Sequence, residues 1–136
     1  SATNADTGTY VAYCFAEIAG FSKFGSYTGN GSADGPFVWC GFRPKYVLVK
    51  SISAATAWVI HTSTLSPYNV VDDAILPYSS GAEATGVASY NIDLLSNGFK
   101  LRTADADHNA SGDTIIFAAF AEYPFGGSGT TQGKAR

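Results

Sequence analysis

The sequence predicts an all-β fold: an antiparallel β-sandwich, jelly-roll-like, with almost no helix. Three observations lead there. Short runs rich in β-branched and aromatic residues recur along the chain. Clusters of Gly, Asn, Ser and Asp separate them, as hairpin and sandwich turns require. No segment keeps apolar residues at i, i+3, i+4 and i+7, the spacing of an amphipathic helix.

The elements follow in order. Tyr10-Val11-Ala12-Tyr13-Cys14-Phe15-Ala16 is an apolar run after a Thr-Gly turn signal and predicts a strand. Phe37-Val38-Trp39-Cys40 follows the turn Asp34-Gly35-Pro36. Tyr46-Val47-Leu48-Val49 sits between two lysines, and Trp58-Val59-Ile60-His61-Thr62 is aromatic and β-branched. Phe99-Lys100-Leu101-Arg102 alternates after Asn97-Gly98. Ile115 to Ala121 is a second long apolar run. Between Pro67 and Asn91 the pattern is weaker: Asn69-Val70-Val71-Asp72 suits a strand and Ser79-Ser80-Gly81-Ala82 a loop.

A chain of 136 residues suits one domain with its own core. Residues 1–125 are expected to form it, with 126–136 as a flexible Gly/Ser/Thr tail. Charged residues make up only 14% while hydrophobic ones reach 46%, so disorder is excluded and some surface is expected to lie against another chain. The net charge is -3 and no basic cluster occurs, so no nucleic-acid partner is expected. No apolar run approaches the ~20 residues of a membrane helix, so no membrane insertion is expected. The polar start, Ser1-Ala2-Thr3-Asn4, lacks the marks of a signal peptide, and a chain beginning without Met reads as a fragment or processed product. Cys14 and Cys40 form no Cys-x-x-Cys pair and are expected as buried free thiols.

An internal repeat stands out. Asn4 to Glu17 returns, 105 positions on and without a gap, as Asn109 to Glu122, ending in Phe-Ala-Glu both times. That offset is too long for a solenoid and is about one domain. It predicts that residues 1–17 are the closing strand of a preceding tandem unit, or that both copies share one sheet. Val11, Tyr13, Phe15 and Glu17 share a face, as do Ile116, Ala118, Phe120 and Glu122. Both faces are apolar, as in strands covered on both sides.

Several blocks carry a resemblance: Gly8 to Glu17 continuing through Gly20-Phe21-Ser22-Lys23-Phe24-Gly25-Ser26-Tyr27-Thr28-Gly29-Asn30-Gly31, then Asp34 to Val38, Gly41-Phe42-Arg43-Pro44, Leu95 to Arg102, and Ala118 to Phe125. In this order they resemble a domain from the C-terminal parts of bacteriophage tail fibres and related tail proteins. The resemblance implies a virion component, assembled in the host cytoplasm, that is often trimeric, contacts other tail proteins, and attaches to bacterial surface polysaccharide or another receptor. It is weakest from Ser51 to Ala88.

Candidate sites come from the residues themselves. Catalytic motifs are missing: there is no Gly-x-Ser-x-Gly elbow and no phosphate-cradling loop. His61 and His108 share no metal-ligand spacing. Asp105-Ala106-Asp107-His108-Asn109 starts like a calcium loop, but Ala110 and Ile116 stand where Gly and Glu belong, so it reads as a polar turn. No metal, cofactor or enzymatic activity is expected. A ligand surface is expected from Trp58, His61, Tyr68, Asn69 and Tyr78, whose aromatic and amide groups suit sugars. Trp39, inside an apolar run, is expected in the core. Arg43 is expected to play a structural part, pairing with Glu17 or Glu122 at the ends of apolar strands. Three readings follow: a non-catalytic attachment domain, a structural virion module for trimerisation, stalk or decoration, and a polysaccharide depolymerase using distant carboxylates such as Asp34 and Asp93.

Overall fold

A computed structural model describes residues 6–126. Among them seven strands form: β1 (Ser22–Thr28), β2 (Phe37–Trp39), β3 (Pro44–Ser51), β4 (Val59–Thr62), β5 (Ile92–Leu95), β6 (Gly98–Leu101) and β7 (Thr114–Ala121). They make a four-stranded sheet in the order β1-β7-β3-β4 and a three-stranded sheet in the order β2-β6-β5, with every pairing antiparallel. The only α-helical turn among the described residues is α1 (Ala106–Asn109). The all-β sandwich expected from the sequence is therefore the fold. No described helix is long and apolar enough to cross a membrane.

Strand position follows from side-chain parity. β7 is apolar on both faces, and it lies centrally between β1 and β3. Ile115, Phe117 and Ala119 face the second sheet and are buried, while Ile116, Ala118 and Phe120 face outward and are half-buried. On β3, Val47, Val49 and Ser51 take the inner positions. The opposing sheet supplies Ile92, Leu94, Phe99 and Leu101, all buried. Phe99 meets the ring of Phe117 edge-on at 5.5 Å and that of Tyr27 at 6.1 Å, which ties the two sheets together. At Gly98 the strands approach so closely that a Cβ would stand 2.1 Å from the carbonyl oxygen of Val38, so only glycine fits beside β2.

Four expectations need correction. Tyr10 to Ala16 forms no strand. Gly8–Glu17 has no regular secondary structure and is exposed, outside both sheets. The physical reason is that β7, with the same pattern, already fills the place between β1 and β3. The two repeat copies therefore occupy different settings in this unit, one an exposed arm and one a central strand. Cys14 is exposed with the arm, whereas Cys40 is buried as expected. Trp39 is 59% exposed on the outer side of β2, an edge strand, with the Lys23 ammonium 5.8 Å from its ring. At Asn69 to Asp72 only Val71 pairs, in a single bridge to Ile92. The expected flexible tail lies, from residue 127 on, outside the described residues.

Candidate binding surface

The segment between β4 and β5 has little regular structure, yet it is pinned at many points. Ile75 bridges to Ile60 of β4, Val71 to Ile92 of β5, and Ala74 to Ala84. Asn69 acts as a strand substitute: its amide donates to the Leu94 carbonyl at 3.1 Å and its carbonyl oxygen accepts from the Leu94 N–H at 2.9 Å. Asp73 accepts from the Ser66 hydroxyl at 2.9 Å and from the Gly86 N–H at 2.9 Å, closing the base of the loop. Between the pins, Tyr68 is 83% and Tyr78 63% exposed. Loop tips held on a rigid scaffold are where binding groups gather.

The five expected ligand residues divide. Trp58, just before β4, points outward and is partly exposed. Tyr68 is anchored through Asn69 at the Leu94 end of β5. Tyr78 lies near Tyr90, at the opposite end of that strand. Asn69 spends its amide on the backbone, which makes it a structural residue. His61 is a correction: β4 turns it inward, and it is completely buried.

His61 meets the other histidine of the chain instead. Its Nε2 lies 3.0 Å from Nε2 of His108, which is equally buried on α1. One ring donates and the other accepts, a pairing that two neutral imidazoles of complementary tautomer make. Burial holds the His61 pKa well below the ordinary histidine value, and repulsion between the two rings if both were protonated lowers it further. Burial likewise pushes His108 down to about 4, against the opposing pull of Asp107 and Asp105. The Tyr90 ring lies 5.3 Å from that of His108, and the Tyr27 hydroxyl donates to the His108 carbonyl at 2.8 Å.

Above this pair the surface is aromatic and acidic. The Tyr90 hydroxyl pKa is raised first by burial, then by the charges of Asp107, Tyr78 and Asp105, which puts these groups in one electrostatic neighbourhood. Asp105 caps α1 by accepting from the Asp107 N–H at 2.9 Å, and Asp107 accepts from the Ala57 N–H at 3.1 Å, next to Trp58. Each carboxylate keeps a second oxygen as an acceptor. Aromatic faces beside carboxylate acceptors suit a ligand with C–H faces and hydroxyl donors. Sequence reasoning missed Asp105 and Asp107 as surface acceptors, although the Asp-Ala-Asp run at a helix start was a readable N-cap signal. The run is a capped turn, and no group of three or more metal-ligating side chains occurs among the described residues.

Four other acids are held in ion pairs. Arg43 Nε is 2.8 Å from Glu122, and Glu17 pairs with Lys23 at 2.6 Å. Asp34 pairs with Lys100 at 2.8 Å and Asp93 with Arg102 at 3.4 Å.

A family model described as a domain of unknown function (DUF7483) matches residues 1–124. No curated protein and no solved structure matches the chain.

Proposed function

We propose that the chain, which belongs to the DUF7483 family of unknown function, is a non-catalytic attachment domain of the phage tail-fibre type, a reading that rests on the resemblance of its sequence blocks and on the exposed aromatic loop. It recognises a bacterial surface glycan as part of the virion. The observation that carries this reading is the loop pinned at Asn69 and Asp73, which leaves Tyr68 and Tyr78 exposed, with Tyr78 within electrostatic reach of Tyr90. Sugar rings stack on the aromatic faces while hydroxyls donate to the carboxylates. Tyr68 forms a separate contact at the other end of β5. Single-domain affinity for sugars is weak, and a trimer recovers it through avidity, by roughly a hundredfold or more.

The test is glycan-array and whole-cell binding by the purified chain. Replacing Tyr78 with Ala is expected to weaken binding by about three- to tenfold per site. The melting temperature should stay within a degree or two, because the ring is on the surface. Unchanged attachment by the Tyr78→Ala variant would overturn the placement of the site. A second reading, a structural virion module, is favoured by the apolar outer face of the larger sheet. There a groove of about 470 Å³ is lined by Phe24, Tyr46, Leu48, Ala118 and Phe120, with Phe15 of the arm forming part of its wall. Absence of any glycan or cell binding would favour that reading.

A further inference from the structure

We infer that the exposed arm, Val11 to Glu17, is a strand donor that pairs with the free edge of β1 in a second copy of this chain. The arm copies β7 in sequence, and β7 is the strand that β1 already accepts on its other edge. The arm, at seven residues, is as long as β1 and stands in no sheet among the described residues. Val11 and Tyr13 are 78% and 83% exposed.

The accepting edge is open from Gly25 on; at its start the chain's own Ile18 bridges Ser22 and the Glu17 carboxylate meets the Phe24 N–H, so a donor displaces that short contact. Among the described residues the only strand paired with β1 is β7, and the opposite edge of that sheet is covered at Ile60 by Ile75. Beside β1, between the two sheets, runs a groove of about 370 Å³ that reaches Val38 and Phe117. A strand with the parity of β7 turns Ala12, Cys14 and Ala16 toward this groove. Val11, Tyr13 and Phe15 then extend the apolar outer face, as Ile116, Ala118 and Phe120 do on β7.

Register explains why the donor comes from another copy. The turn at Ile18 to Phe21 pairs Ile18 with Ser22, so a hairpin continued from it sets Ala16 opposite Phe24 and Phe15 opposite Gly25. Phe24 faces outward, so that hairpin drives Phe15 and Tyr13 into the groove and leaves the small side chains outside. A slip of one residue flips every side chain, and the chain's own turn forbids the slip. Phe15 instead crosses the outer face, stacking on Phe24 at 6.2 Å and meeting Phe120 edge-on at 5.7 Å. An arm from a second copy is free of that turn and takes the register of β7. Strand addition at an open edge is a common mode of association; repeated head-to-tail it gives a ring where the rotation between copies closes and an open filament where it does not.

The experiment compares the full chain with a Val11→Asp/Tyr13→Asp variant by sedimentation over a wide concentration range, with Cys14 as a reporter. The wild type is expected to self-associate, and Cys14 in the oligomer should react with a thiol reagent at least tenfold more slowly than in the variant. The variant should remain monomeric with an unchanged melting temperature. A wild type that is monomeric at high concentration overturns the inference. So does a variant that associates as well as the wild type, or an oligomer in which Cys14 stays fully reactive. Glycan binding by a monomer leaves the attachment reading standing, so the two fail separately.

Discussion

Two buried polar residues set how the fold responds to solution conditions. His61 and His108 are neutral in the folded chain and titrate near the ordinary value of about 6.5 when unfolded. A folded pKa below the unfolded one means that the unfolded chain binds more protons. Stability is therefore full above pH 6.5, falls as the pH drops below it, and goes on falling until the folded pKa is passed. For His108, held near 4, the loss by that pH is on the order of 3 kcal/mol. The melting temperature should decline steadily from pH 6.5 to 4.5, and a His61→Gln/His108→Gln variant should lose most of that slope. The groups facing the pair are Tyr27 from β1, Tyr90 from the turn before β5, and Asp105 and Asp107 on the element of His108 itself. Asn109 is the second case. Fully buried, it donates to Asn30 Oδ1 and to the carbonyls of Ser32 and Thr103, and it accepts from the Asn30 N–H. Asn109→Ala leaves the carbonyl of buried Thr103 without its partner and is expected to cost about 1–3 kcal/mol in urea denaturation.

At the level of elements, the arm and β7 show one pattern with two outcomes. Phe117 on β7 packs against Phe99 in the core, and Phe117→Ala should lower stability by about 3–4 kcal/mol. Tyr13→Ala on the arm should change the monomer's stability by less than about 0.5 kcal/mol, since an exposed side chain leaves no cavity behind. Urea midpoints of the two variants check both figures. The same contrast explains what was legible in the sequence. β3, β4, β6 and β7 are dense in branched and aromatic residues, and their local pattern announces them. The arm has that pattern too, but the place it fits within its own unit, between β1 and β3, is filled by β7, a fact held in residues about a hundred positions away. β1, with Gly25 between Lys23, Phe24 and Ser26, announces little, because pairing with β7 makes it a strand. The surface was half legible. Tyr68 and Tyr78, beside prolines and serines, are exposed as such neighbours suggest. The inward turn of His61 depends on β3 and α1, and no local signal carries it.

The whole molecule is poor in charge and rich in apolar surface, and that governs how copies meet. The outer face of the larger sheet offers Phe24, Tyr46, Leu48 and Phe120, with no acid or base among the residues that line its groove. Association through such a surface gains from salts that are excluded from protein surfaces, whereas an interface of ion pairs weakens as ionic strength rises. Self-association of the full chain should therefore be unchanged or several-fold tighter in 0.5 M sulfate than in dilute buffer, as read by sedimentation. The pinned loop between β4 and β5 has another consequence at this scale. Its anchors are backbone bridges plus Ser66, Asn69 and Asp73, none of which depends on the identity of Tyr68 or of residues 78–83. Those tips are thus replaceable cargo on a fixed mount. A randomised library confined to them should yield folded members at high frequency, which makes the domain a candidate scaffold for selecting new recognition proteins.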